Sequence, residues 1–296
     1  MGFLRDLFVN VVLTTPLVGA YTMFALGIVF IYRGSRVLNL AHGAMAMFPA
    51  YIAYALTGVA GPYAGALIAL AAGGVLGLSI ERVLVRRLRP AGPTAQTVGT
   101  VAALGILIAL AARIWGTTPI HAKGVFPDKS FAVGNSALSL GGIALFFIAI
   151  AVAGGFIALF RYTDLGLAMR CSADNRRAAA LMGIDPERTT AVAWLFAGAL
   201  AALGGVLLAA STNLHPYTLS LQVLPAFVAA LIGGLENVSG ALYGSILVGF
   251  TVGIVPSLGG IGKQTGAPQV ALAFLAFIVM GMRGGRFAAT DVRSGL

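Results

Sequence analysis

Charge is what this chain lacks. Of its 296 residues 9% are Asp, Glu, Lys or Arg, while 59% are hydrophobic and the mean hydropathy is +0.95. A water-soluble domain carries about 25% charged residues. A surface this poor in charge excludes an ordinary soluble protein and makes lipid the solvent. Cysteine is nearly absent too. Cys171 stands alone, which excludes an internal disulfide framework, and its basic surroundings belong on the cytoplasmic side, where thiols stay reduced. Acidic residues number 9 against 19 basic ones, a net charge of +10. In a membrane protein that excess marks cytoplasmic loops rather than a nucleic-acid partner. The carboxylates Asp6, Glu81, Asp128, Asp164, Asp174, Asp185, Glu187, Glu236 and Asp291 all fall in loops or at termini by the sequence pattern. None is expected in mid-membrane, where a proton- or sodium-coupled carrier wants one, so energy for transport must come from another chain.

Motifs for chemistry are missing as well. His42, His121 and His215 are far apart and none belongs to H-E-x-x-H. No Ser/His/Asp grouping suggests hydrolysis and no metal cluster is visible, so no catalytic residue or metal ligand is assigned and an enzyme is not expected. SLGGIGKQTG, residues 257–266, imitates a P-loop, but Ser257 stands where the first Gly is required and Gln264 where the Mg²⁺-binding hydroxyl belongs. The chain is therefore expected to bind no nucleotide or other cofactor itself.

What is present is a series of apolar runs. Nine segments have the length and character of membrane spans, at 8–31, 40–58, 63–80, 95–113, 138–160, 191–211, 223–234, 239–256 and 267–282. The short 223–234 piece reads as a half-helix or re-entrant segment. Basic clusters at 81–90, 161–190 and after 282, with Arg33 and Arg36 in the turn at 32–39, go inside by the positive-inside rule; 59–62, 114–137, 212–222 and 257–266 go outside. With nine crossings the N-terminus is outside and the C-terminus cytoplasmic. MGFLRDLFVNVVLTTPLVGA lacks a basic head and reads as an uncleaved first helix. Gly61/Gly65, Gly73/Gly77 and Gly240/Gly244 have the small-xxx-small spacing of helix packing. Residues 39–56 and 226–249 share a faint likeness, as the interrupted helices of inverted repeats do.

The longest inside stretch is TDLGLAMRCSADNRRAAALMGIDPERTTAVAW, 163–194. It predicts a short amphipathic helix over 172–182, capped by Ser172 or Asp174, ended by Gly183 and followed by a helix starting at Pro186. Such a helix is either a solvated connector or a docking element for a cytoplasmic partner. Glu236, between Gly233-Gly234 and Ser239-Gly240, is a loop charge, a partner contact or a gate. RGSRVLNLAHGAMAMF, 33–48, puts Asn39 and His42 at the head of a helix. Free N–H groups and the positive dipole end favour an anionic group there, making the two residues candidates for a translocation path. The alternative for His42 is a packing residue hydrogen-bonded across helices.

Three blocks carry a resemblance: ALGIVFIYRGSRVLNLAHGAMAMFPAYIAY (25–54), LGLAMRCSADNRRAAALMGIDPERTTAVAWLFAGALAALGGVLLA (165–209) and LPAFVAALIGGLENVSGALYGSILVGF (224–250). In order and spacing the chain resembles the integral-membrane permease of branched-chain amino acid (LIV-type) ABC importers, H-type subunit. The resemblance implies an all-α polytopic fold of about 8–10 membrane helices forming one permease domain over 1–296, in a bacterial inner membrane. It implies a second permease subunit, two cytoplasmic ATPases that hold ATP and Mg, and an extracytoplasmic substrate-binding protein. The 163–190 segment would couple to the ATPases, with Arg170, Asp174, Asn175 and Gly183 matched by position. The chain departs from the family at Ala44, where Glu is usual, at Glu236-Asn237 in place of Gly-Ser, and at Cys171 in place of Ala. Branched-chain amino acids are the first expectation for the solute. Urea, short-chain amides, aromatic acids and a stand-alone small-solute channel are the alternatives.

Overall fold

Apolar residues surround the long segments on every side instead of forming one stripe, the pattern of helices that meet lipid or other helices all round. A computed structural model of the chain describes the backbone of residues 2–127, 129–134, 136–258, 264 and 266–291. It is a helix bundle: α1 (Gly2–Leu13), α2 (Thr15–Ser35), α3 (His42–Ala60), α4 (Pro62–Ile80), α5 (Gly92–Trp115), α6 (Leu140–Tyr162), α7 (Asp164–Asp174), α8 (Arg176–Leu181), α9 (Pro186–Ala209), α10 (Pro216–Leu221), α11 (Val223–Gly233), α12 (Val238–Ile254) and α13 (Ala267–Asp291). Among the described residues seven helical stretches are long and apolar enough to cross a membrane, and 238–254 and 267–279 are shorter apolar helices. These nine regions coincide with the nine expected, with shifted ends.

Burial separates centre from periphery. The most apolar part of α2 is 83% buried and that of α9 72%, against 22% for the span containing α5 and 28% for α6. α2 and α9 are the core, and α5 and α6 offer most of their surface to lipid or to another subunit. Glycine brings backbones into contact around this core. A Cβ at Gly73 would stand 2.6 Å from the Gly198 carbonyl oxygen, which joins α4 to α9. Gly240 and Gly244 lie on the backbone of α11 at Gly233 and Ala229. Two of the three spaced glycine pairs thus pack within the chain. Gly61 does not: its surroundings are open and its φ of +81° makes it the turn between α3 and α4.

Several expectations need correction. The first segment is two helices, broken at Thr14 with Pro16 in the first turn of α2. The seventh is longer than 223–234, because α10 and α11 together make an 18-residue span at 216–233; Thr218, Ser220 and Gln222 hid its first half. The 114–137 loop and the two residues after it hold a small antiparallel hairpin, β1 (Ser130–Val133) with β2 (Ser136–Ser139), pairing Phe131 with Leu138, a minor addition to an all-α membrane fold. The single helix expected over 172–182 is an elbow. α7 ends at Asp174 and α8 restarts at Arg176, because Asn175 is extended and its Oδ1 caps the Ala178 N–H. Ser172 is buried inside α7 and caps nothing. Glu81 is no loop charge: α4 continues into a π turn over Glu81–Val85 and the Glu81 side chain is fully buried. The P-loop imitation at 257–266 lies largely outside the described residues.

Candidate functional site

α2 ends on Arg36, whose left-handed backbone (φ +58°) sends its N–H to the Tyr32 carbonyl at 2.7 Å. The chain then turns back into the bundle as irregular backbone over 37–41. Such backbone is tolerated at membrane depth only where protein surrounds it and its polar groups are met. Val37 and Ala41 are fully buried and Asn39 is 1% exposed. Asn39 meets most of the need: its Oδ1 accepts from the Ala41 N–H at 3.0 Å, its carbonyl accepts from the His42 N–H at 3.3 Å, and its Nδ2 donates to the Met45 sulfur at 3.1 Å. From α5, Thr100 Oγ1 accepts from the Leu40 N–H at 3.0 Å. The turn at 32–39 therefore does not simply mark the inner end of a span; it re-enters.

α3 starts at depth. His42 packs on Gly27, near the middle of the 21-residue α2, where a Cβ would come within 2.6 Å of His42 Nε2 and 3.3 Å of the Ala197 carbonyl, itself near the middle of α9. The imidazole is fully buried, stands edge-on to Phe24 at 6.4 Å, and neither ring nitrogen has a hydrogen-bond partner among the described residues. The packing alternative, an imidazole satisfied across helices, does not hold. Gly43 lies against the Ser220 carbonyl, and Ser220 Oγ is also buried and unpartnered. Two orphan polar groups thus flank the head of α3. Asn39, by contrast, is a capping residue with its bonds made.

On the side of the bundle away from the basic loops, a cavity of about 360 Å³ opens between α2, α10, α11 and α13, lined by Tyr21, Tyr217, Thr218, Gln222 and Gln269. The Tyr21 hydroxyl donates to Gln222 Oε1 at 3.4 Å. Tyr21 lies on the same helix as Gly27, and Ser220 is two residues before Gln222. The cavity therefore stands over the His42–Ser220 level.

The basic loops converge at the other end. Arg36 forms an ion pair with Glu236, joining the end of α2 to the α11–α12 turn. Buried Glu81 accepts from Arg86 at 3.2 Å and Arg89 at 3.0 Å, and both arginines also reach Glu187 of α9, at 3.0 and 3.3 Å. The π turn aligns this set: the Arg86 N–H bonds to the Glu81 carbonyl five residues back, at 2.7 Å. The hydrogen bond to Glu81 holds the Arg86 guanidinium above its ordinary value. Nothing in the local pattern announces the cluster, since its spacing is not the i, i+4 of an α-helix and Arg89 and Glu187 are 98 residues apart.

Of the coupling candidates, Arg170 is spent on the Phe160 carbonyl, bracing α7 against the end of α6. Asp174 and Asn175 are exposed at the elbow. Gly183, with φ +81° and open surroundings, ends the α8 turn. Leu181 and Met182 beside it are 83% and 82% exposed, an apolar tip that water does not favour. Arg176 at the start of α8 donates to Thr190 Oγ1 at 3.2 Å and the Pro186 carbonyl at 3.3 Å; Thr190 in turn donates to the Gly34 carbonyl of α2 at 3.0 Å. Burial lowers the Arg176 guanidinium from its ordinary value. Asp185 caps α9, and its bonds from the Arg188 and Glu187 N–H groups hold its carboxyl below the usual range.

Comparison with known proteins adds four findings. Residues 10–282 match the family model described as branched-chain amino acid transport system / permease component. The chain is 30% identical over 244 residues, 79% of it and 76% of the relative, to the probable branched-chain amino acid transport permease protein LivH of Methanocaldococcus jannaschii. It is 28% identical to the high-affinity branched-chain amino acid transport system permease protein LivH of Escherichia coli K12, over 83% of this chain and 84% of that one. Among solved structures, PsaBC from Streptococcus pneumoniae in complex with Fab matches with a TM-score of 0.50 and 16% identity, over 95% of this chain and 91% of that one, which is a likeness of fold.

Proposed function

The chain belongs to the family of permease components of branched-chain amino acid transport systems, and from that premise we propose that it carries a branched-chain amino acid along a path from the Tyr21–Gln222 cavity past Ser220 and His42 to the basic end. Family membership makes it a multi-pass inner-membrane subunit of an ABC transporter, a transport subunit and not an enzyme.

The observation that carries the path is the pair of buried, unpartnered groups on His42 and Ser220. A buried polar atom without a partner costs roughly 1–3 kcal/mol. A bundle keeps such a cost where a passing solute supplies the missing bonds. An α-carboxylate suits the head of α3, where the helix dipole is positive; an α-ammonium suits the neighbouring oxygens. Ala44, fully buried beside them, leaves that surround without a carboxylate of its own.

In the proposed assembly the basic end lies in the cytoplasm, the C-terminus included, by the positive-inside rule. Two ATPases engage the α7–α8 elbow, whose exposed Leu181 and Met182 give them an apolar contact. Arg170, Asp174, Asn175 and Gly183 set the elbow's shape, and Glu236 latches the α11–α12 turn to α2. A second permease subunit packs on the open faces, and a binding protein delivers solute at the Tyr21 end. ATP and Mg belong to the ATPases.

The test is ATP-driven uptake of labelled leucine by proteoliposomes holding the assembled complex. Leucine enters only with ATP, and His42→Ala or Ser220→Ala lowers the uptake rate tenfold or more while the complex still assembles. Uptake by the chain without ATPases would overturn the reading. Uptake of urea, a short amide or an aromatic acid in place of leucine would reassign the solute.

A further inference from the structure

Several arginines at the basic end have carboxylates to answer them. Arg36 has Glu236, Arg86 and Arg89 have Glu81 and Glu187, and Arg188 has Asp185. One place differs. Between α2, α6, α7 and α12 lies a pocket of about 210 Å³ lined by Arg33, Phe160, Arg161, Arg170, Asn237 and Ser239. Three guanidinium groups border it, and among the described residues no carboxylate comes within salt-bridge distance of any of them.

Two of the three are held in place by contacts that form no ion pair, and the one carboxylate that acts on Arg33, Asp174, stays beyond salt-bridge distance. The Arg33 guanidinium lies 4.6 Å over the Phe160 ring, a stacking that orients its plane and uses none of its N–H donors. Arg170 spends one nitrogen on the Phe160 carbonyl. Arg161 lies exposed at the rim, 5.6 Å from the Tyr162 ring. The first turn of α12, a 17-residue helix, forms the opposite wall with Ser239 and with Asn237, whose Oδ1 accepts from the Gly240 N–H at 3.0 Å. Converging like charges raise the free energy unless an anion joins them. Guanidinium forks match phosphate oxygens in pairs.

We propose that this pocket binds the phosphate of an anionic ligand, the lipid headgroup of the inner leaflet being the source its position favours. It opens where α2 and α6 end, with apolar Ile157 and Val238 on its lining. A headgroup there keeps its acyl chains against the bundle and its phosphate among the arginines. Basic pockets between membrane helices on the cytoplasmic side take lipid headgroups in this way. The inference depends on the four helix ends and not on the solute carried.

The test is thermal unfolding of the purified full chain titrated with short-chain phosphatidylglycerol, with inorganic phosphate, and with short-chain phosphatidylcholine as the reference. Phosphatidylglycerol raises the melting temperature saturably. The Arg33→Gln/Arg161→Gln double variant weakens its apparent affinity tenfold or more, and Arg82→Gln, an exposed arginine outside the pocket, leaves it unchanged. Inorganic phosphate that competes at similar affinity supports the phosphate site and identifies a free anion as the source. Equal stabilisation by phosphatidylcholine, no saturable effect of either anion, or wild-type affinity in the double variant overturns the proposal and returns the arginines to a carboxylate on a partner protein. If the double variant does not fold, Arg161→Gln alone, at an exposed rim position, is compared by native mass spectrometry. Wild type retains phosphatidylglycerol and the variant loses it; equal retention overturns the proposal.

Discussion

The same substitution should change stability in opposite directions at two glycines. At Gly73 of α4 a new methyl would meet Ala202 Cβ first, then stand 2.6 Å from the Gly198 carbonyl oxygen and 3.3 Å from Pro49 Cγ. Ordinary contact begins at 3.4 Å, so Gly73→Ala is about 0.8 Å short of room. The obstructing atoms, a backbone carbonyl oxygen and a Cβ fixed to the backbone, cannot rotate away, so α4 and α9 must part along their crossing. Parting by 0.5–1 Å forfeits roughly a quarter to a half of each affected dispersion contact, and overpacking of this kind costs about 1–3 kcal/mol. Replacing a helical glycine by alanine returns up to ~1 kcal/mol of propensity, leaving a net loss of up to about 2 kcal/mol. At Gly105 of α5 nothing lies within 4 Å of the new methyl, so Gly105→Ala keeps the propensity gain and loses nothing. Reversible unfolding of the isolated chain in mixed detergent–SDS micelles reads both free energies. The propensity gain is common to both, so the two variants should differ by the overpacking cost, about 1–3 kcal/mol, with opposite signs relative to wild type. Equal shifts, or a more stable Gly73→Ala, would refute the close α4–α9 approach as a determinant of the core.

Glu81→Ala removes the fully buried carboxylate beneath Arg86 and Arg89. Because both arginines keep Glu187, the loss should fall below the ~3–5 kcal/mol of a fully buried pair, at about 2 kcal/mol in the same assay, and a variant as stable as wild type would contradict it. Asp185 has a carboxyl lowered from its ordinary 3.8 by the Arg188 and Glu187 N–H groups. Its contribution to stability is present above that ordinary value and lost as the pH falls through the lowered one; the gap between wild type and Asp185→Ala should close in acid, and a gap that widens there has the wrong sign. Gly183→Leu places a side chain at φ +81° in open space, a strain of about 1–2 kcal/mol confined to the elbow. It should cut solute moved per ATP hydrolysed while the bundle melts as wild type, whereas Arg170→Glu, which also breaks the brace on Phe160, should lower both.

The apolar runs, their order and the punctuation at Gly183 and Pro186 were legible because each is a local property. The break at Asn175 was not. Residues 174–177 read as one polar face, and only the side-chain cap on Ala178 shows that the helix restarts there. Glu81 looked like a loop charge because a window of sequence does not register a π turn, and Glu187, which shares its two arginines, comes from another helix. The Arg36–Glu236 pair spans 200 residues and belongs to the fold alone. For the candidate path, position in the sequence picked out Asn39 and His42 together, and hydrogen bonding separates them: the Asn39 side chain has its bonds made, while neither ring nitrogen of His42 has a partner among the described residues. Ser220 was missed because it sits in a segment too polar to read as part of a span.

The elbow has a mechanical consequence. A single straight helix on the inner face would slide or tilt as a whole when pushed. Two short helices meeting at one extended residue act as a crank with its pivot at Asn175. Arg176, the first residue beyond the pivot, grips the start of α9, and Thr190 there grips the inner end of α2. α2 is a buried rod about 30 Å long whose far end forms a wall of the outer cavity through Tyr21. Load applied at the tip of α8 would therefore have one stiff member and two hydrogen-bonded joints between it and the cavity at the other end of α2.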